Sequence, residues 1–161
     1  MAVIPSNTPY ASNEAQPEFA LQRVFAEVSS EIPGAPESFD LTESPSLDMQ
    51  LNIQSKKSEK FDNTYSVVLT VTVKATLPET DNKVLFLIEV KQGGLFTARG
   101  FDDASLETFL SIHCPTLLYP YACVHITDLV ARGGFMPLHL PPVDFNSMYA
   151  QHQANAEKES N

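Results

Sequence analysis

Tryptophan is absent from the 161-residue sequence, and cysteine occurs only twice. Cys114 and Cys123 lie nine positions apart in a stretch that reads mostly helical, where a disulfide would need unusual local geometry. They read as free thiols and small buried hydrophobes, which argues against a disulfide-held secreted scaffold. Positive charge is also scarce. Ten Lys and Arg stand against twenty Asp and Glu, giving a net charge of −10 that opposes binding to nucleic acid and anionic lipid. No run approaches the roughly 20 apolar residues of a membrane span, and the first residues carry neither a basic nor an apolar signal region. A cytoplasmic protein without membrane insertion is therefore expected.

What is present is enough for one domain. Residues 1–18 hold Pro5, Pro9 and Pro17 with no periodicity and read as a disordered arm. Residues 153–161 are polar and read as a flexible tail, leaving 19–152 as the folded domain. Within it, Tyr65, Val67, Leu69, Val71, Val73, Ala75 and Leu77 alternate with Ser66, Thr70, Thr72, Lys74 and Thr76, the pattern of a half-buried antiparallel strand. Leu47, Met49, Leu51 and Ile53 alternate in the same way, and Phe19–Val28 fits a strand or a short helix by pattern, its aromatic and β-branched residues favouring the strand. Val84–Lys91 is apolar on both faces until Glu89, which suggests a sheet covered on both sides, once by helices and once by another subunit. Pro78–Asn82 is a turn that could close a hairpin. Gly93-Gly94 reads as a sharp bend ending that strand.

Beyond the glycines, apolar residues recur at helical spacing after Asp102 and Asp103, with Pro115 and Pro120 as interruptions and Gly133-Gly134 as a stop. Asp144 precedes a last amphipathic helix, and Phe135–Pro142 cannot be regular helix. Four strands followed by helices predict an α+β domain, an antiparallel sheet with helices packed on one face.

Chemistry is sparse. His113, His125, His139 and His152 show no paired metal-ligand spacing. Cys114 beside His113, and Cys123 near His125, point to different faces of a helix and make no dyad. Gly93-Gly94 lacks the Lys-Ser/Thr of a phosphate loop. No catalytic residue, metal or cofactor is expected; an enzyme or ligand carrier using His125 or Cys114 is the outlying alternative.

Four blocks, EVKQGGLF at 89–96, CPxxLYPYA at 114–122, RGGF at 132–135 and LxLxPVDF at 138–145, resemble in order and spacing the SecB family of bacterial protein-export chaperones. The resemblance implies a four-stranded antiparallel sheet with helices on one side, a homotetramer built as a dimer of dimers, and a holdase. Such a protein binds unfolded precursor proteins without ATP and delivers them to the SecA motor. It further implies that Leu87, Glu89, Glu27 and Glu31 form the SecA contact, and that Ile88, Val90 and Gln92 support the tetramer. A client groove is sought at Phe135, Met136, Leu138, Leu140, Phe145, Met148 and Tyr149, where packing of the last helix is an equally good reading of the same residues. A SecB-like chaperone dedicated to one partner, such as an antitoxin, is the alternative within the family.

Overall fold

The computed structural model describes residues 16–160, so most of the expected N-terminal arm lies outside the described residues. Four strands form one antiparallel sheet: β1 (Glu18–Glu31), β2 (Ser46–Lys57), β3 (Thr64–Leu77) and β4 (Lys83–Arg99), in the order β1-β4-β3-β2. β2, β3 and β4 follow one another as a meander, and β1 is carried to the far edge by the connection through the 3-10 turn Glu37–Asp40. The β3–β4 turn closes with Asp81 and Asn82 both at φ 54°, the left-handed conformation that Asp and Asn tolerate best after Gly.

Period-2 alternation sets the two faces. Val67, Leu69, Val71, Val73, Ala75 and Leu77 of β3 are all buried, facing Phe86, Ile88, Val90 and Phe96 of β4 on the same side. A bulge between Ala75 and Thr76 shifts the register opposite Val84 and Phe86. Leu85 falls opposite that shift, and it is buried along with Phe86. The two-sided apolar pattern at the start of β4 thus has a cause within the protomer.

Contrary to the bend expected from its composition, the Gly93-Gly94 pair does not end the strand; β4 runs straight through it to Arg99. The glycines are needed for close approach. A Cβ on Gly93 would lie 2.2 Å from the Phe25 ring on one face, and a Cβ on Gly94 would lie 2.9 Å from Leu118 on the other.

Helices cover one face. α1 (Asp103–Thr108) begins at Asp102, whose carboxylate accepts the Ser105 N–H at 2.7 Å, and a π-helical turn (Phe109–His113) leads into α2 (Cys114–Arg132). The prolines do not interrupt this stretch. The backbone stays helical from Asp103 to Arg132: Pro115 follows on the π-helical turn, where the local rewinding of the helix accommodates its missing N–H. Pro120 and Thr116 are solvent-facing, so the carbonyl left free by Pro120 can bond water. α2 lies over β3 and β4 through Leu118, Ala122, Ile126 and Val130. α3 (Phe145–Glu159) is capped by Asp144, which accepts from Asn146 and Ser147. It continues past the expected end at 152, since Ala154, Ala156, Glu157 and Lys158 favour helix.

Candidate functional site

The sheet separates two surfaces, and the ladder registers show which residues share each. Directly opposed residues of an antiparallel pair point to the same face. On the face away from the helices, Glu31 stands opposite Leu87, Ser29 opposite Glu89 and Glu27 opposite Lys91; on the other flank of β4, Leu87 faces Lys74 and Glu89 faces Thr72. Leu87, Glu89, Glu27 and Glu31 are therefore brought together on two adjacent strands. Sequence reasoning missed the cations among them. Lys91 Nζ lies 4.0 Å from Glu89 Oε1, an exposed pair of small energetic weight, and Lys74 sits opposite Asp48 of β2.

Ile88, Val90 and Gln92 point the other way. Each is at most 1% exposed beneath the helical layer, so any support they give to an assembly acts through the packing of α2 on the sheet. Gln92 donates from Nε2 to the Phe25 carbonyl at 3.2 Å, tying β4 to β1, while its Oε1 has no partner.

The proposed groove residues divide into three groups. Residues 135–142 run in extended form back along α2, and α2 holds them by two side chains: Thr127 Oγ1 donates to the Leu138 carbonyl at 2.7 Å and Tyr119 OH to the Pro141 carbonyl at 2.6 Å. Between this segment and α2 lies a cavity of about 540 Å³ lined mainly by apolar surface from Cys123, Val124, Ala131, Pro137 and Leu140, with Asp128 and His139 at its edge. Phe135 packs at a tilt against Phe39 and Phe86, with ring centroids 5.4 and 5.1 Å away, and Met136 is 88% exposed. Phe39, half-exposed on the β1–β2 connection, belongs to this aromatic surface; no periodicity marks it in the sequence.

Met148 and Tyr149 line a different cavity, about 460 Å³, between α3, the π-helical turn and the edge strand β2, together with Leu51, Ile53 and Leu110. Phe145 belongs to neither. It is 2% exposed with its ring 5.8 Å from that of Tyr119, so it is a core residue, set inward because it opens α3 directly after the cap.

The thiols are free. Burial pushes Cys114 up to about 12, and burial raises Cys123 as well, so neither is poised as a thiolate nucleophile. Among the described residues no group of three His, Cys, Asp or Glu side chains is placed to hold a metal, and no helix is long and apolar enough to cross a membrane.

This architecture and sequence match known proteins. A family model described as preprotein translocase subunit SecB matches residues 12–156. The chain is 41% identical over 146 residues to protein-export protein SecB of Acidithiobacillus ferrooxidans, spanning 90% of this chain and 96% of that protein. It is 42% identical over 142 residues to the protein of that name from Hydrogenovibrio crunogenus, spanning 87% and 92% respectively. Among solved structures, a SecB-like chaperone of Mycobacterium tuberculosis, in complex with a peptide from an antitoxin, shares the fold with a TM-score of 0.65 at 14% identity, over 78% of this chain and 91% of that one. By the family model and by relatives alike over nearly its whole length, the chain belongs to the SecB family.

Proposed function

We propose that this protein is an ATP-independent export holdase, which binds unfolded precursor proteins and delivers them to SecA without catalysing a reaction. The observation that carries this reading is the separation of surfaces: aromatic and apolar side chains on irregular backbone beside the helices, and Glu27, Glu31, Leu87 and Glu89 together on the opposite face. Unfolded chains expose apolar segments of varied sequence. Phe39, Phe135, Met136, Leu138 and Leu140 offer them adaptable, sequence-tolerant contacts, and the cavity at Met148 and Tyr149 extends that surface toward β2.

The working form is a cytoplasmic dimer of dimers. β1 is an edge strand with Val24 and Val28 about half exposed on the helix side, and α2 presents an uncovered stripe of Leu117, Tyr121 and Val124. Both features favour self-association.

The test pairs native mass with two binding assays. Four protomers of 17.7 kDa give a particle of about 71 kDa. Glu89→Lys reverses a charge on the outer face and should weaken SecA binding while leaving suppression of aggregation of an unfolded protein unchanged. Equal loss of both activities would refute the division of labour. Capture of a single dominant client with no SecA binding would instead identify a chaperone dedicated to one partner.

A further inference from the structure

We propose that Phe25 is an apolar anchor of the outer face, seated in a slot that Gly93 keeps open, and that the charges on either side of it set the direction in which a SecA segment lies across the sheet. This rests on the reading that the outer face receives SecA.

Phe25 shares that face with Glu27 and Glu31 and stands directly opposite Gly93 in the ladder. Its ring lies so close to the bare glycine backbone that a Cβ there would meet three ring carbons at 2.2, 2.2 and 2.7 Å. Val68 of β3 is the partner of Gly93 on the other flank, and Leu95 lies one pair further along β4, so the ring adjoins a small apolar strip on an otherwise polar surface. Covering Gly93 accounts for one side of the ring. The other side stays open: Phe25 is 49% exposed, an aromatic ring with solvent on one face and the glycine backbone beneath it, the kind of group that dominates binding when a partner covers it. Side chains of a strand stand perpendicular to the sheet, so edge-to-edge pairing of β1 with a second subunit would leave this face open.

The charges around the ring are not mixed at random. Beyond Phe25 in one direction lie Glu27, Glu89, Glu31 and, on β2, Asp48, with Lys91 and Lys74 among them. In the other direction Arg23 and Lys56 occupy the two ends of the row that passes through Leu95 and Ser66, and that row holds no carboxylate. The complementary occupant is a segment with an apolar residue over Phe25, basic residues toward Glu27 and Glu89, and an acidic or carbonyl-rich stretch toward Arg23. A segment laid the opposite way would set like charges against each other at both ends.

SecA binding to the intact protein should fall at least about tenfold for Phe25→Ser and Phe25→Thr, as for loss of an interface aromatic, and by less than about threefold for Phe25→Tyr. Arg23→Glu should weaken binding further at low salt than at high salt. Client holding and native mass should be unchanged in all four. Loss of binding in Glu89→Lys with full binding in Phe25→Ser and Phe25→Thr would overturn the anchor and leave the docking reading intact; full binding in all of these variants would overturn both. Hydrogen exchange of the unaltered protein provides a readout independent of variant folding. Added SecA should protect the backbone of residues 23–27, and absence of protection there would overturn the anchor.

Discussion

Replacing each of the two adjacent glycines of β4 by alanine tests the account of why the strand needs them. Distance alone ranks Gly93→Ala as the worse change, since its Cβ would sit 2.2 Å from Phe25, against 2.7 Å from Phe96 and 2.9 Å from Leu118 for Gly94→Ala. The surroundings reverse that order. Phe96 and Leu118 are 0% exposed and have nowhere to go, so the added methyl is an overpacking defect of about 1–3 kcal/mol. Phe25 can swing into solvent. Uncovering on the order of 60 Å² of ring costs about 1.5 kcal/mol, offset by roughly 0.4–1 kcal/mol from the reduced freedom of the unfolded chain. Gly93→Ala should therefore lose only about 0.5–1 kcal/mol, and less than Gly94→Ala. Urea unfolding at fixed protomer concentration measures both, with Phe25→Ala as the second arm of a double-mutant cycle. Without the ring, Gly93→Ala should become neutral or stabilising, while the cost of Gly94→Ala should stay within about 0.5 kcal/mol of its value in the parent. A Gly93→Ala cost that is unchanged by Phe25→Ala would refute the close-approach argument.

Tyr119→Phe removes the donor to the Pro141 carbonyl and should cost about 1–2 kcal/mol, with faster proteolysis confined to residues 135–142; unchanged cleavage would show that the tether is not needed to hold that segment. Thiol labelling of the native protein at pH 8 should modify Cys123 slowly and Cys114 only after unfolding, since Cys114 is buried with its thiol pushed up to about 12. Because that value lies above the ordinary thiol range, the unfolded chain loses its proton first as pH rises. Stability is then full below about pH 8.5 and declines toward pH 12 by up to about 1.4 kcal/mol per pH unit for this thiol, and Cys114→Ala should flatten the decline measured by urea unfolding.

The elements legible in the sequence are those whose cause is local. Alternation in Tyr65–Leu77 needs only a pleated strand with one buried face, and Asp102 and Asp144 cap helices through N–H groups two or three residues away. The failures have distant causes. Gly93-Gly94 looked like a bend because Phe25 is 68 residues upstream and Leu118 is 24 downstream of the respective glycine, and no window of sequence contains either contact. Pro115 reads as a breaker because the π-helical turn before it, where the helix is locally rewound, leaves no mark in composition. The groove residues were contiguous in sequence, yet the chain reverses along α2 and re-enters at Asp144, so Leu140 and Met148 open onto different cavities and Phe145 turns inward between them.

That arrangement bears on how a holdase can release what it holds. The outer face and the two cavities lie on opposite sides of a sheet whose centre is packed with β-branched residues at 0–1% exposure. The proposed client groove and the proposed docking face around Phe25 and Glu89 therefore do not overlap. Within a protomer, coupling between them would pass through the sheet, where Gln92, buried beneath α2, donates from its side-chain amide to the carbonyl of Phe25. A shift of β1 on docking would strain or release that bond. Gln92→Leu, close in size and without the amide, should leave each binding event intact when measured alone and reduce the effect of SecA on client dissociation; an unaltered effect would place the coupling in the subunit contacts instead.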